Sequence, residues 1–181
     1  MPEALTGSDP MPAHPDHTFQ IYRYEGAPTL AESACMTFAP FSEDIARLSQ
    51  EALEAGMDQG EHLRVLFNMP GFSLTHVWFK KFYPLPLHSH DADCLYYIIA
   101  GSLRIGTETL GPRDGFFIPA DMPYAYVPGP DGVELLEFRH KTNFSFLNHA
   151  NGAAFWDRAK ITAASNAEDW KAAKRPVLNK I

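Results

Sequence analysis

From His62 onward, apolar and polar residues alternate in short runs broken by turn residues, a pattern with the period of β-strands. The runs cover residues 63–67, 73–82, 85–90, 94–100, 103–106, 116–118, 124–127 and 133–139. Turn chemistry separates them at Pro70-Gly71, Gly101-Ser102, and within 111–115, 119–123 and 128–132. Many short strands without helices between them predict an antiparallel sandwich or barrel. Helical periodicity appears only at the flanks. Ser42 is placed to cap a helix carrying Glu43 and Asp44 in its first turn. Ile45, Leu48, Ala52 and Leu53 make its apolar face and Gly56 its stop, so it reads as a brace across the outside of a sheet.

Near the other end, Ser165 and Glu168 form a capping-box pattern opening a helix that Pro176 closes, and 151–160 suggests another turn or two. Residues 18–24, with Phe19, Ile21 and Tyr22, read as a short edge strand. The proline-rich, polar stretch 1–17 reads as a disordered or loosely attached tail. The expected organisation is thus a tail (1–17), an arm with a strand and a helix (18–61), a barrel (62–140) and a helical extension (141–181).

Composition narrows the function classes. A chain of 181 residues with 45% hydrophobic and 13% aromatic residues can bury one sizeable core. Its net charge of −7 offers no basic footprint for nucleic acid. No apolar run is long enough for a membrane span, and the first residues lack the apolar core of a secretion signal. Two cysteines, Cys35 and Cys94, make no disulfide framework, so a reducing, cytoplasmic setting is expected. No helix pair has the form of a helix-turn-helix.

The chemistry concentrates at His88-Ser89-His90 and the strand after it. Side chains two apart on a strand share a face, so both imidazoles can reach one ion or one ligand. Cys94, Tyr96 and Ile98 share parity and should face the interior, leaving Tyr97 and Ile99 outside. The histidine pair reads either as metal ligands or as polar groups hydrogen-bonding an organic ligand. His76 is a further candidate ligand, Arg64 and Arg104 are candidate carboxylate anchors, and Lys80-Lys81 reads as a solvated strand end.

These residues resemble the cupin superfamily, whose signatures are G-x5-H-x-H-x3,4-E-x6-G and G-x5-P-x-G-x2-H-x3-N. His88 and His90 match the first pair, Cys94 stands at the glutamate position, Gly101 closes the motif, and Phe82 occupies the opening glycine. In the second, Pro119 matches, Asp121 replaces a glycine and Tyr124 takes the histidine position, after the entry Gly115-Phe116-Phe117-Ile118. The resemblance covers about Ser73 to Arg139. It implies an all-β double-stranded β-helix (jelly-roll) barrel with flanking helices, holding a metal near its mouth.

Carried onto this chain, the metal positions are His88, His90, Cys94 and Tyr124, a set that suits a divalent transition metal (Fe, Zn, Mn or Ni) better than Mg. The alternative reading makes Cys94 a buried filler and Tyr124 a cavity hydrogen-bond donor. Tyr96 lies near Cys94 as a tyrosine does near the ligating glutamate in some cupin lyases, making Tyr96 and Tyr124 the candidate catalytic residues. The resulting expectation is a metal-dependent enzyme of oxygenase, lyase or isomerase type acting on a small organic molecule. The alternative is a metal-free cupin that binds a small ligand without catalysis. A homodimer paired through the 18–24 strand across a two-fold axis is also expected, with no nucleic-acid or membrane partner.

Overall fold

The alternating runs pair into two sheets. The computed structural model describes residues 18–176, so the expected tail at 1–17 lies outside the described residues. In chain order the elements are α1 (Leu30–Ser33), β1 (Met36–Phe38), α2 (Glu43–Glu54), β2 (Glu61–Met69), β3 (Phe72–Phe79) and β4 (His88–Ser89). There follow β5 (Cys94–Ile105), β6 (Glu108–Leu110), β7 (Gly115–Ile118), β8 (Val127–Arg139), β9 (Phe144–Asn148) and α3 (Ala153–Ala172). The larger sheet runs β2-β3-β8-β5-β6, with β7 also on β5, and every pair in it is antiparallel. The smaller runs β1-β9-β4 and includes the parallel pair β1-β9. The architecture is a jelly-roll β-sandwich with flanking helices.

Register explains the core. Ser73, Arg139 and Cys94 form one row across β3, β8 and β5; Thr75, Glu137 and Tyr96 form the next, and Val77, Leu135 and Ile98 the third. All nine are buried, as the strand period requires of one face. Leu95 and Tyr97, of opposite parity, are 54% and 47% exposed. The expected inside–outside assignment of Cys94, Tyr96, Ile98 and Tyr97 therefore matches the structure.

Several local expectations are corrected. The Gly101-Ser102 turn lies inside the continuous strand β5, which shifts register there as a bulge. Gly101 has φ +73°, and a Cβ on it would run into the Gly132 carbonyl oxygen, so glycine permits both the conformation and the close approach. Of 85–90 only His88–Ser89 is strand, because Pro84 and Pro86 lack an N–H for a ladder. Residues 18–24 form no strand, and Phe19 is 90% exposed.

The C-terminal helix is one element rather than two. Trp156, Ala159, Ala163 and Trp170 are buried along it, and that packing carries the helix through the local start signal at Ser165. The Trp156 indole donates to the Ala150 carbonyl (2.8 Å) and the Trp170 indole to the Lys81 carbonyl (3.0 Å), pinning both ends. Helix α2 starts at Ser42, whose hydroxyl accepts from the Ile45 N–H (3.4 Å). It packs against α3 and borders the cavity described below, rather than crossing the outside of a sheet. Among the described residues no helix is long and apolar enough to cross a membrane.

Candidate functional site

A cavity of about 670 Å³ opens between the two sheets. The chain brings five groups to one end of it: His88, His90, Tyr124, Glu137 and Arg139. Leu53 and Ser49 of α2 stand at its rim, and Phe38, Phe144 and Phe146 of the small sheet form one wall.

Proline and backbone geometry set the two imidazoles. His88 exchanges backbone hydrogen bonds with Tyr124 (3.1 and 2.9 Å), which joins β4 to the loop before β8. Its Nδ1 donates to the Pro86 carbonyl (2.8 Å), and the ring lies flat on Phe146 at 4.8 Å. His90 Nδ1 donates to the Ser145 carbonyl (2.7 Å), with its ring edge-on to Phe144 at 5.4 Å. Asp91 secures the turn behind it, accepting the Ser145 N–H (2.6 Å) and pairing with Lys141 (3.2 Å).

Because a carbonyl only accepts, each Nδ1 carries the proton and each Nε2 presents a lone pair. The ring centroids are 5.0 Å apart. Burial lowers the His88 pKa to about 4 despite the Pro86 bond, and burial with the Arg139 charge lowers that of His90 to about 3. Both rings are neutral at neutral pH. Both imidazoles border the same cavity.

The other expected ligands sit differently. Tyr124 reaches the cavity and its hydroxyl is hydrogen-bonded to that of Tyr96, which stands behind it, stacked on Phe116 at 4.3 Å. Burial, reinforced by the Glu137 charge, pushes both phenols well up, so they stay protonated. Cys94 is buried off the cavity wall, and burial pushes its thiol up to about 12. Among the described residues no three His, Cys, Asp or Glu side chains come together to hold an ion. A resident transition metal ordinarily takes three or four protein donors. Here only the two imidazoles offer uncommitted donors, since the Tyr124 hydroxyl is bonded to Tyr96 and Glu137 to Arg139, and this donor set does not fit such an ion.

The charged pair was not anticipated. Glu137 accepts from Arg139 Nη1 (2.9 Å), and the guanidinium, 1% exposed by residue, lies 4.1 Å over the Phe144 ring. Burial works against the Arg139 charge, but Glu137 beside it keeps the guanidinium protonated. Arg139 Nε and the hydroxyls of Ser73 and Thr75 are buried without a hydrogen-bond partner among the described residues. The available signal was parity: Glu137 and Arg139 are in phase with the buried Val133 and Leu135 on β8.

The remaining candidates are elsewhere. His76 pairs with Glu134 (2.7 Å) beneath Tyr24, on the face of β3 away from the cavity. Arg64 donates to the Ala27 carbonyl and to His62 Nε2 (3.2 Å), fastening the arm. Arg104 donates to Gly106 (3.0 Å). Lys80, rather than being solvated, clasps the carbonyls of Gln59 and Trp170 (2.7 Å each), while Lys81 pairs with Asp169 (2.6 Å).

No protein-family model matches the chain, and no curated protein matches it significantly. Among solved structures it is similar in fold to an RmlC-like cupin from Shewanella frigidimarina NCIMB 400, with 21% identity over 45% of this chain and 76% of that one (TM-score 0.41). It is also similar to KdgF from Halomonas sp., with 19% identity over 45% and 82% (TM-score 0.41). The polyketide cyclase RemF from Streptomyces resistomycificus is similar at 20% identity over 60% and 84% (TM-score 0.49).

Proposed function

We propose that this cupin-type sandwich binds a small, largely apolar organic molecule between its sheets, without a resident metal ion. The observation that carries the reading is the pair of free Nε2 lone pairs, on rings with centroids 5.0 Å apart, in a cavity walled mostly by apolar and aromatic side chains. A cavity of about 670 Å³ is of the size that encloses such ligands. Orientation would come from a few fixed polar groups: the two imidazoles, the Tyr124 hydroxyl held by Tyr96, and Glu137 held by Arg139. Oxygenase, lyase or isomerase chemistry at Fe, Zn, Mn or Ni would need further donors beside the two imidazoles, whereas Cys94 lies off the cavity wall and the Tyr124 hydroxyl is engaged by Tyr96.

Metal analysis and thermal shift together test this. Protein purified without added metal should hold far less than one ion per chain, unchanged in His88→Ala/His90→Ala. In a screen of small organic molecules, stabilisation by a hit should be indifferent to chelator. A ligand at about 100 times its Kd stabilises by about 2.7 kcal/mol, readily seen as a shifted transition. One ion per chain, lost in the double variant, would overturn the reading, as would stabilisation that EDTA abolishes.

A further inference from the structure

We propose that the molecule taken up is a neutral hydroxylated aromatic compound, a phenol or an enol, whose O–H is donated to Nε2 of His88 and His90. The inference rests on the cavity being a ligand site and adds the class of ligand. The walls supply the aromatic part. Phe38, Phe41, Phe79, Phe144, Phe146 and Trp156 all face the space, and flat rings pack well against such surfaces in offset or edge-on contacts.

The polar end decides the head group. Apart from Arg139, the groups there that cannot change role are acceptors. Each histidine has its Nδ1 spent on a carbonyl, so its Nε2 can only accept in the neutral ring. Glu137 also borders the space as an acceptor. The tyrosine hydroxyls can donate or accept, and so do not choose the ligand. Arg139, the one arginine or lysine among the described lining residues, gives Nη1 to Glu137 and is covered by Phe144, while its Nε has no partner among the described residues.

A carboxylate entering here would meet imidazole lone pairs and a carboxylate, and the one cation at hand, Arg139, is already neutralised by Glu137 and covered by Phe144. An ether or ketone would leave both Nε2 atoms desolvated and unpaired, which costs binding energy. A hydroxyl donor satisfies them. With ring centroids 5.0 Å apart, the pair can share one O–H or take two neighbouring ones.

Three matched probes test this on the full chain: 4-phenylphenol, 4-methoxybiphenyl and biphenyl-4-carboxylate, titrated by calorimetry at neutral pH. The phenol should bind roughly tenfold tighter than the methyl ether, the worth of about one well-made hydrogen bond, and tighter still than the carboxylate. In protein labelled with ¹⁵N-histidine, the Nε2 resonances of His88 and His90 should move with the phenol and not with the ether; this needs no substitution that might unfold the chain. Equal affinity for phenol and ether, or tighter binding of the carboxylate, overturns the inference while leaving the cavity as a ligand site. If none of the three binds or perturbs cavity residues, both the inference and the ligand-site reading fall.

Discussion

Replacing Glu137 with glutamine leaves the Arg139 guanidinium without its carboxylate where water does not reach it. The pair is close (2.9 Å), and the side chains are 1% and 12% exposed for Arg139 and Glu137. Arg139 Nε already lacks a partner among the described residues, so the loss falls on a cation with little other compensation. Removing one member of a buried pair costs about 3–5 kcal/mol, because an uncompensated charge remains. Against a typical total of about 5–15 kcal/mol, that is a large fraction of the protein's stability. For a chain of this size the loss should lower Tm by roughly 6–20 °C. The assay is urea unfolding followed by circular dichroism, with Glu137→Gln, Arg139→Met and the double variant forming a cycle. The double variant should be more stable than either single one, since no buried charge is then left alone. Should Glu137→Gln cost under about 1 kcal/mol, or the two single losses simply add, the pair is not the buried, mutually dependent unit described here.

The remaining predictions concern the same interior. His88 and His90, held neutral with pKa near 4 and 3 against an ordinary 6.5, bind fewer protons folded than unfolded across that interval. Stability should therefore be full above about pH 6.5 and fall as pH drops toward 4, by roughly 1–2 kcal/mol per histidine at pH 5. Urea midpoints at pH 5, 6 and 7 measure it, and a slope unchanged in His88→Phe/His90→Phe would refute the assignment. Tyr96→Phe removes the partner of the Tyr124 hydroxyl and should cost about 1 kcal/mol, with Tyr96→Phe/Tyr124→Phe costing less than the sum of the single losses; chemical denaturation reads both. Gly101→Ala places a methyl against the Gly132 carbonyl oxygen in a left-handed conformation, so it should cost more than about 1–2 kcal/mol. A wild-type midpoint for that variant would show the bulge to be tolerant of side chains.

What the sequence by itself determined was the set of features governed by a few neighbouring residues. Strand period put His88 with His90, and Cys94 with Tyr96 and Ile98, on shared faces; Ser42 and the 45–48–52 spacing defined α2. The overall β-sandwich followed from many such runs. What only the tertiary structure decided was partnership between distant segments. β1 and β9 complete the second sheet from more than a hundred residues apart, a pairing no local periodicity encodes. Ser73, Arg139 and Cys94 come into one buried row because β8 lies between β3 and β5 in one register rather than another. Likewise, Cys94 and Tyr124 have ligand-capable side chains, but Cys94 packs off the cavity wall and the Tyr124 hydroxyl is taken by Tyr96, placements that belong to the packed whole. The Ser165 cap signal fails for the same reason: the packing of Trp156, Ala163 and Trp170 outweighs a local preference worth about 1 kcal/mol.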